Sequence, residues 1–268
     1  MGDLERLRAE LRRLDRVVVA FSGGSDSAFL AWVANDTLGP ASVLCATAVS
    51  ASLADDERAD CAALAGEWKL RWRALPTGEL GQASYLANGP DRCYHCKSEL
   101  LDALGPISLA ERSTVVLGVN CDDLGDHRPG QRAAVEKGAE FPLVAAGFTK
   151  SDVRTVSREL GLRTWNKPAA ACLASRIPYG TPVTLATLEG VGKAEASLRR
   201  LGFSQIRVRH YGDLARVEVE EAELARAVQL RRNVIEAVQD AGYIYVTLDL
   251  EGFRSGNLNH SLKAREAL

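Results

Sequence analysis

The stretch Val17-Val18-Val19-Ala20-Phe21-Ser22-Gly23-Gly24-Ser25-Asp26-Ser27 decides how this chain is read. A short β-branched run ends in two adjacent glycines. An apolar pattern of helical period follows at Ala28, Phe29, Leu30, Trp32 and Val33. That order reads as a buried strand, a tight turn and the start of a helix. Gly23 and Gly24 are both expected to take positive φ and to bring the backbone close to a ligand. Ser25, Asp26 and Ser27 fall where the helix begins, so its unpaired N–H groups and the positive end of its dipole point at the turn. Such a turn binds phosphate. It lacks a Lys-Ser/Thr ending, which separates it from the P-loop of kinases and GTPases.

Outward from this stretch, apolar runs of strand and helix character alternate. Helix 3–14 precedes strand 17–21, and helix 27–37, strand 43–49, helix 55–68 and strand 70–75 follow. After a polar, Gly-rich segment at 78–90 come a short helix at 97–104, a strand at 114–119 and helices at 131–137 and 150–160. The alternation predicts an α/β fold, a doubly wound parallel sheet with ligands at the carboxyl ends of its strands. The Ala- and Pro-rich segment 166–182 reads as a linker or active-site loop between a domain at 1–165 and a second at 183–268. There the order changes to helix 188–201, a hairpin of strands 205–210 and 215–219, a long helix 221–241 and a strand 243–248. This is a smaller α+β domain. The 268 residues accommodate both, and a net charge of −2 argues against a large nucleic-acid footprint. No apolar run approaches the roughly 20 residues of a membrane span. The charged amphipathic N-terminus is not a signal peptide. The expected setting is cytoplasmic, where six cysteines speak for metal or redox chemistry rather than disulfides.

Three of those cysteines stand out. Cys93-Tyr94-His95-Cys96 is a C-x-x-C expected in a loop before a helix, a spacing that lets two thiolates share one metal ion or cluster. The alternative reading is a structural or regulatory pair. Cys172 lies among small residues beside Ser175 and Arg176, in polar, electropositive surroundings, or is simply a buried small residue. Cys45 and Cys61 fall in core patterns, and Cys121 can pack beneath its turn. Gly118-x-Asn120-x-Asp122-Asp123-x-x-Asp126-x-Arg128-Pro129-Gly130 ends a strand with three carboxylates and an arginine. Carboxylates there can hold Mg²⁺ against phosphates and the arginine an anion, unless the segment is only a solvated, cap-rich loop. Arg207 and Arg209 alternate along a strand, so both face one side, an arrangement suited to phosphate or carboxylate and also to an ordinary surface. Glu195 on the preceding helix is a weaker candidate, as a metal ligand, for the same cleft.

Ser22 to Ser27 resembles the pyrophosphate loop of the PP-loop ATP pyrophosphatases. With the remaining motifs the chain is similar to the LarE family, ATP-dependent sulfur transferases of nickel-pincer nucleotide cofactor biosynthesis. The resemblance covers nearly the whole chain. It rests on Phe21 to Ser27, Arg92 to Lys97, Gly118 to Gly130, Ala171-Cys172-Leu173-Ala174-Ser175-Arg176-Ile177-Pro178-Tyr179-Gly180, Arg207 to Arg209 and the Gly252 to Asn257 tail.

The resemblance implies that ATP, with Mg²⁺, activates a carboxylate of pyridinium-3,5-biscarboxylic acid mononucleotide as an acyl-adenylate, and that sulfur then displaces AMP. It implies ligand contacts at Ser22, Gly23, Gly24, Ser25, Asp26, Ser27, Asn120, Asp123, Asp126, Arg128, Ser175, Arg176, Arg207 and Arg209. The sulfur comes either from Cys172 itself, left as dehydroalanine, or from a [4Fe-4S] cluster held by Cys93, Cys96 and Cys172. Cys172 is expected at the mouth between the domains, with Arg176 raising its nucleophilicity. A homo-oligomer with a small-molecule nucleotide substrate follows by analogy, with no nucleic-acid or membrane partner. A tRNA thiolase shares the loop and the cysteines but needs a basic RNA groove. An amidating synthetase needs an ammonia source. A nucleotide-binding sensor needs none of the cysteines and leaves ATP intact.

Overall fold

The computed structural model describes residues 2–125, 129–168 and 171–254. Their elements run α1 (Leu4–Leu14), β1 (Val17–Ala20), α2 (Ser25–Leu38), β2 (Val43–Val49), α3 (Asp55–Glu67), β3 (Trp72–Pro76), α4 (Ala83–Leu86), α5 (Arg92–Glu111), β4 (Thr114–Leu117), α6 (Pro129–Glu136), α7 (Pro142–Ala145) and α8 (Lys150–Glu159). They continue with α9 (Leu185–Arg200), β5 (Ile206–Tyr211), β6 (Leu214–Val219), α10 (Leu224–Gln229), α11 (Arg231–Gln239) and β7 (Tyr245–Leu248). The described residues of Met1–Glu79 and Asp91–Ala170 form one compact unit, and those of Leu80–Pro90 and Ala171–Leu268 a second.

In the first unit the strands are all parallel, in the order β3-β2-β1-β4. Side chains of a strand alternate between faces, and β1 shows why this sheet is covered on both. Val17, Val19 and the following Phe21 join α1, α2, α3 and α8 in one core, with Leu7, Leu11, Phe29, Leu30, Leu64 and Val153. Val18 joins the opposite core, with Leu44, Ala46 and Leu117 and with Leu101 and Leu104 of α5. A strand buried on both sides must be apolar throughout, as Val17–Val19 are. The doubly wound expectation is thus met, and the carboxyl ends of β1 and β4 lie side by side.

Two helices differ from their sequence reading. The short helix expected at 97–104 is the 20-residue α5. Its apolar face continues past Pro106 to Ile107, so packing outweighs the hydrogen bond that proline removes. Its start lies upstream of the C-x-x-C, where the Asp91 carbonyl accepts from the N–H groups of Tyr94 (2.8 Å) and His95 (3.4 Å). Cys93 and Cys96 therefore sit within the helix rather than in a loop before it. The long helix expected at 221–241 divides at Leu230 into α10 and α11. Arg226 of α10 reaches the carbonyls of Leu201 (2.6 Å) and Gly202 (3.0 Å) beyond the end of α9, whereas Val234 and Val238 of α11 pack into the core.

The second unit is a three-stranded sheet, β5-β6-β7, with β5 and β6 antiparallel and β7 parallel to β6. Ile206, Val208, Ala215 and Val217 turn one face of it towards Ala194 and Leu198 of α9 and Val238 of α11. Residues 80–90 belong to this unit through Asn88, which is fully buried and left-handed (φ 53°). Its Nδ2 donates to the carbonyls of Ile177 (3.3 Å), Pro178 (2.9 Å) and Thr181 (2.8 Å), and its own carbonyl accepts from Gly180 N–H at 3.0 Å. Among the described residues no helix is long and apolar enough to cross a membrane.

Asn88→Ala strips a donor from three carbonyls and puts a Cβ-bearing residue without a polar side chain at positive φ. We expect a loss of at least about 2 kcal/mol in denaturant unfolding. A loss below about 0.5 kcal/mol, the range of neutral surface changes, would contradict the role given to Asn88.

Candidate active site

The chain leaves β1 through Phe21, whose N–H donates to the Ala46 carbonyl at 2.8 Å. It turns at Gly23, φ +68°. A Cβ there would lie 2.8 Å from Cys61 Sγ, so both the conformation and the space demand glycine. Gly24 differs from expectation. Its φ is −74°, extended, and a Cβ there would meet only Ser22 Oγ at 3.6 Å. One left-handed residue is enough because Ser27 closes the turn from below. Its hydroxyl accepts from Ser22 N–H (3.2 Å), shares a hydrogen bond with Ser22 Oγ (3.0 Å) and reaches the Gly24 carbonyl (3.2 Å). With Gly24 as N-cap, α2 has no side-chain cap. Its first N–H groups lack an intrahelical partner, and they face a cavity of about 250 Å³ lined by Ser22, Gly24, Asp26, Ser27, Thr47, Lys97 and Gly118.

Gly118, at the end of β4, is the second glycine the loop requires. A Cβ on it would lie 2.7 Å from Ser27 N. From there Asn120, fully buried, bonds its Oδ1 to Asp122 N–H (3.0 Å), and Asn120 N–H donates to Asp123 Oδ2 (3.2 Å). Asp122 turns away to cap α8, accepting from Lys150 N–H at 2.8 Å. Asp123 is buried and lies within electrostatic range of Asp26. Burial raises the Asp26 carboxyl above the ordinary carboxylate range and Asp123 adds to this, while Lys150, Asn120 and Arg154 oppose it. Asp26 Oδ1 and Asn120 Nδ2 are both buried without a well-formed hydrogen bond. Asp126 and Arg128 lie outside the described residues.

Cys93 is exposed and Cys96 partly buried in the first turns of α5. Cys96 Sγ donates to Glu79 Oε1 at 3.9 Å. At a spacing of three the two thiols share one helical face. Lys97 follows directly and lines the cavity wall. Burial lowers its ammonium pKa, against the pull of the two thiols. Among the described residues no cluster of three or more metal-ligating side chains occurs. Cys45 and Cys61 are buried as expected, and Cys121 is half-buried beside the Val144 carbonyl.

In the second unit Cys172 is exposed and opens a 3-10 turn, Leu173–Arg176. Arg176 is buried beneath it and fixes the turn. Its Nη1 donates to the carbonyls of Ala171 (2.6 Å) and Cys172 (3.0 Å) and to Ser175 Oγ (2.9 Å). Its Nε and Nη2 grip both oxygens of Glu195 at 2.8 and 2.9 Å. Glu195 also accepts from Val208 N–H (3.0 Å) and Arg199 (3.2 Å). Burial would raise its carboxyl, but the bonds from Arg176 prevail and hold it below the usual range. Both oxygens thus serve arginines and the strand. Arg209 is held by Glu218 through Nε (3.0 Å) and Nη2 (2.7 Å), and its Nη1 donates to the Ser175 carbonyl at 2.9 Å. Arg207 and Arg209 share the buried face opposite Ile206 and Val208, as alternation predicted. Burial, with repulsion from Arg176, lowers the Arg207 guanidinium pKa to about 10.

Sequence reasoning gave no role to Lys97, Lys150, Arg154 or Glu218. The first follows a C-x-x-C, the next two are four apart on one helix face, and Glu218 lies opposite Arg207 in register. Those spacings were the available signals.

A doubly wound parallel sheet with a Ser-Gly-Gly loop at an uncapped helix N-terminus defines an α/β protein of the PP-loop type. No family model matches the chain. It is 40% identical over 257 residues to the pyridinium-3,5-bisthiocarboxylic acid mononucleotide synthase of Lactiplantibacillus plantarum, covering 96% of this chain and 93% of that one. An uncharacterized protein of Synechocystis is 45% identical over 262 residues, 97% of each chain. Another, from Methanocaldococcus jannaschii, is 26% identical over 241 residues, 90% of this chain and 91% of its own. The chain belongs to the LarE family, whose members are ATP-dependent sulfur transferases of nickel-pincer cofactor biosynthesis.

Two predictions follow from the loop. Gly118→Ala forces the first turn of α2 off the end of β4, and ATP affinity measured calorimetrically should fall at least about tenfold with the circular dichroism spectrum intact. Undiminished affinity would contradict this packing role. Asp26 holds its proton more tightly folded than unfolded, so its ionisation costs stability as pH rises from the unfolded pKa through the folded one. Asp26→Asn should therefore raise Tm at about pH 7 and lose that advantage towards about pH 4, the ordinary carboxylate range. An equal or lower Tm at the higher pH would contradict it.

Proposed function

We infer that this protein adenylates a carboxylate of a pyridinium mononucleotide and exchanges AMP for sulfur. The observation that carries the reading is the half-buried Asp26 carboxyl, whose Oδ1 is buried without a well-formed hydrogen bond, on a turn of phosphate-binding type in a chain of this family. The unpaired N–H groups of α2 receive phosphate oxygens, and Lys97 supplies a cation at the same cavity wall. The donor set at Asp26, Asp123 and Asn120 fits a hard divalent cation, since a half-buried carboxyl with an orphaned Oδ1 beside a buried second carboxyl is best balanced by one. Mg²⁺ held by these residues would supply positive charge against the leaving pyrophosphate.

The substrate carboxylate attacks the α-phosphorus of ATP. The bond to the bridging oxygen breaks, giving the acyl-adenylate and pyrophosphate. Arg207 and Arg209 anchor the substrate phosphate, with Glu218 and the Ser175 carbonyl fixing Arg209 for the task. Sulfur then attacks the acyl carbon and AMP leaves with the bonding electrons.

Exposed Cys172 fits the nucleophile, on a turn whose carbonyls Arg176 holds. Its thiolate displaces AMP to give a thioester. Loss of the Cys172 α-proton then expels the thiocarboxylate and leaves dehydroalanine. Cys93 and Cys96, accessible on one helical face, fit the alternative in which they and Cys172 hold a [4Fe-4S] cluster. Bound there, it would supply sulfide without consuming the chain. By resemblance the protein works as a cytoplasmic homo-oligomer.

Cys172→Ala should abolish sulfur transfer while pyrophosphate release continues. Cys93→Ala and Cys96→Ala separate the two sources. One turnover with a loss of about 34 Da, the mass of H₂S, on intact-mass analysis marks sacrifice of Cys172. Loss of transfer together with a visible chromophore marks the cluster. Full transfer by Cys172→Ala would overturn both.

A further inference from the structure

Arg207 is stacked beneath an aromatic ring of the Gly252 to Asn257 tail, a segment to which no role has been given. Its guanidinium carbon lies 4.9 Å from the centroid of Phe253. The ring is delivered there by backbone constraints. Gly252 N–H donates to the Asp249 carbonyl (3.2 Å), closing a turn after β7. Gly252 takes φ +68°, and a Cβ on it would lie 2.9 Å from the Val219 carbonyl. Phe253 N–H then donates to that same carbonyl at 2.7 Å. Val219 pairs with Ile206, the neighbour of Arg207. The tail is thus fixed to the end of β6 at the point where its next side chain covers the guanidinium.

A guanidinium has two kinds of surface. Its faces stack on aromatic rings, while its five N–H donors lie in the plane and point outward from the edge. One Arg207 edge donor, Nη1, is already spent on the Ile206 carbonyl at 2.7 Å. Arg176, Arg199 and Arg209 repel it electrostatically while Glu195 attracts it, and these charges leave the plane of the group to be set by a further restraint. An aromatic face provides one, because the negative quadrupole of the ring attracts the cation without occupying a donor.

We propose that Phe253 is a positioning residue for Arg207, holding the guanidinium plane so that its edge is presented to the phosphate of the mononucleotide substrate. The proposal rests on the reading of Arg207 as the phosphate anchor.

The test measures KM for pyridinium-3,5-biscarboxylic acid mononucleotide and for ATP in the full-length protein, by pyrophosphate release. Phe253→Ala should raise the mononucleotide KM about tenfold, with the ATP KM moving less than about twofold. Phe253→Tyr keeps the ring and should stay within about twofold of wild type. Phe253→Leu fills space but has no quadrupole, and should remain several-fold impaired. Recovery by Leu as complete as by Tyr would reduce Phe253 to packing and overturn the proposal, as would equal rises in both KM values. Arg207→Ala separates the two failures. If it leaves the mononucleotide KM unchanged, the anchor reading itself falls. If it raises that KM while the Phe253 variants do not, only the positioning role falls.

Discussion

The approach of Gly118 to the backbone of Ser27 is the contact on which the proposed nucleotide site depends. Parallel pairing puts the end of β4 beside the end of β1, and a Cβ at Gly118 would occupy the first turn of α2. Contact at this range lets the asparagine and acid cluster after β4 meet Asp26 inside the protein. It also leaves the α2 N-terminus without a side-chain cap, so its N–H groups remain for a ligand. The same compression puts Asp26 near Asp123 in a buried setting, a cost to the empty fold that a divalent cation and polyphosphate would relieve.

The second unit solves a different problem, which is to bury arginines without losing their use. Glu195 and Glu218, both fully buried, each accept from at least two arginines. Buried ion pairs add little net stability against apolar alternatives, but breaking one is severe, because a lone buried charge remains. Such a lattice is therefore stiff. Arg176 uses it to hold the carbonyls of the Cys172 turn, and Arg209 to hold that of Ser175. Arg176 divides its donors between the Glu195 carboxylate, the Ser175 hydroxyl and the carbonyls of Ala171 and Cys172. What Arg176 controls is where Cys172 sits.

The fold was legible where burial alone dictates sequence. Val17–Val19 had to be apolar on both faces, and the strand–turn–helix order at Gly23 followed from composition. Arg207 and Arg209 were correctly placed on one face by strand alternation. The misreadings lie where tertiary contact overrides local rule. The helix read at 97–104 stops short of Pro106, yet the apolar face of α5 carries on through that proline. Gly24 was expected to be left-handed, but Ser27 closes the turn with only Gly23 in that region. Asn88 and the 80–90 segment looked like a polar loop, since the carbonyls that Asn88 gathers lie some 90 residues further on. Phe253 drew no reading of its own, because its partner Arg207 lies far back in the chain, in β5.

Substrate-dependent exchange of labelled pyrophosphate into ATP tests the central claim most directly, that this loop activates a carboxylate by adenylation. With the pyridinium biscarboxylate mononucleotide present, wild type and Cys172→Ala should both show exchange, because adenylation reverses before any sulfur is needed. Without the mononucleotide exchange should be absent. Exchange that ignores the mononucleotide, or cleavage of ATP to ADP in place of AMP and pyrophosphate, would contradict the account.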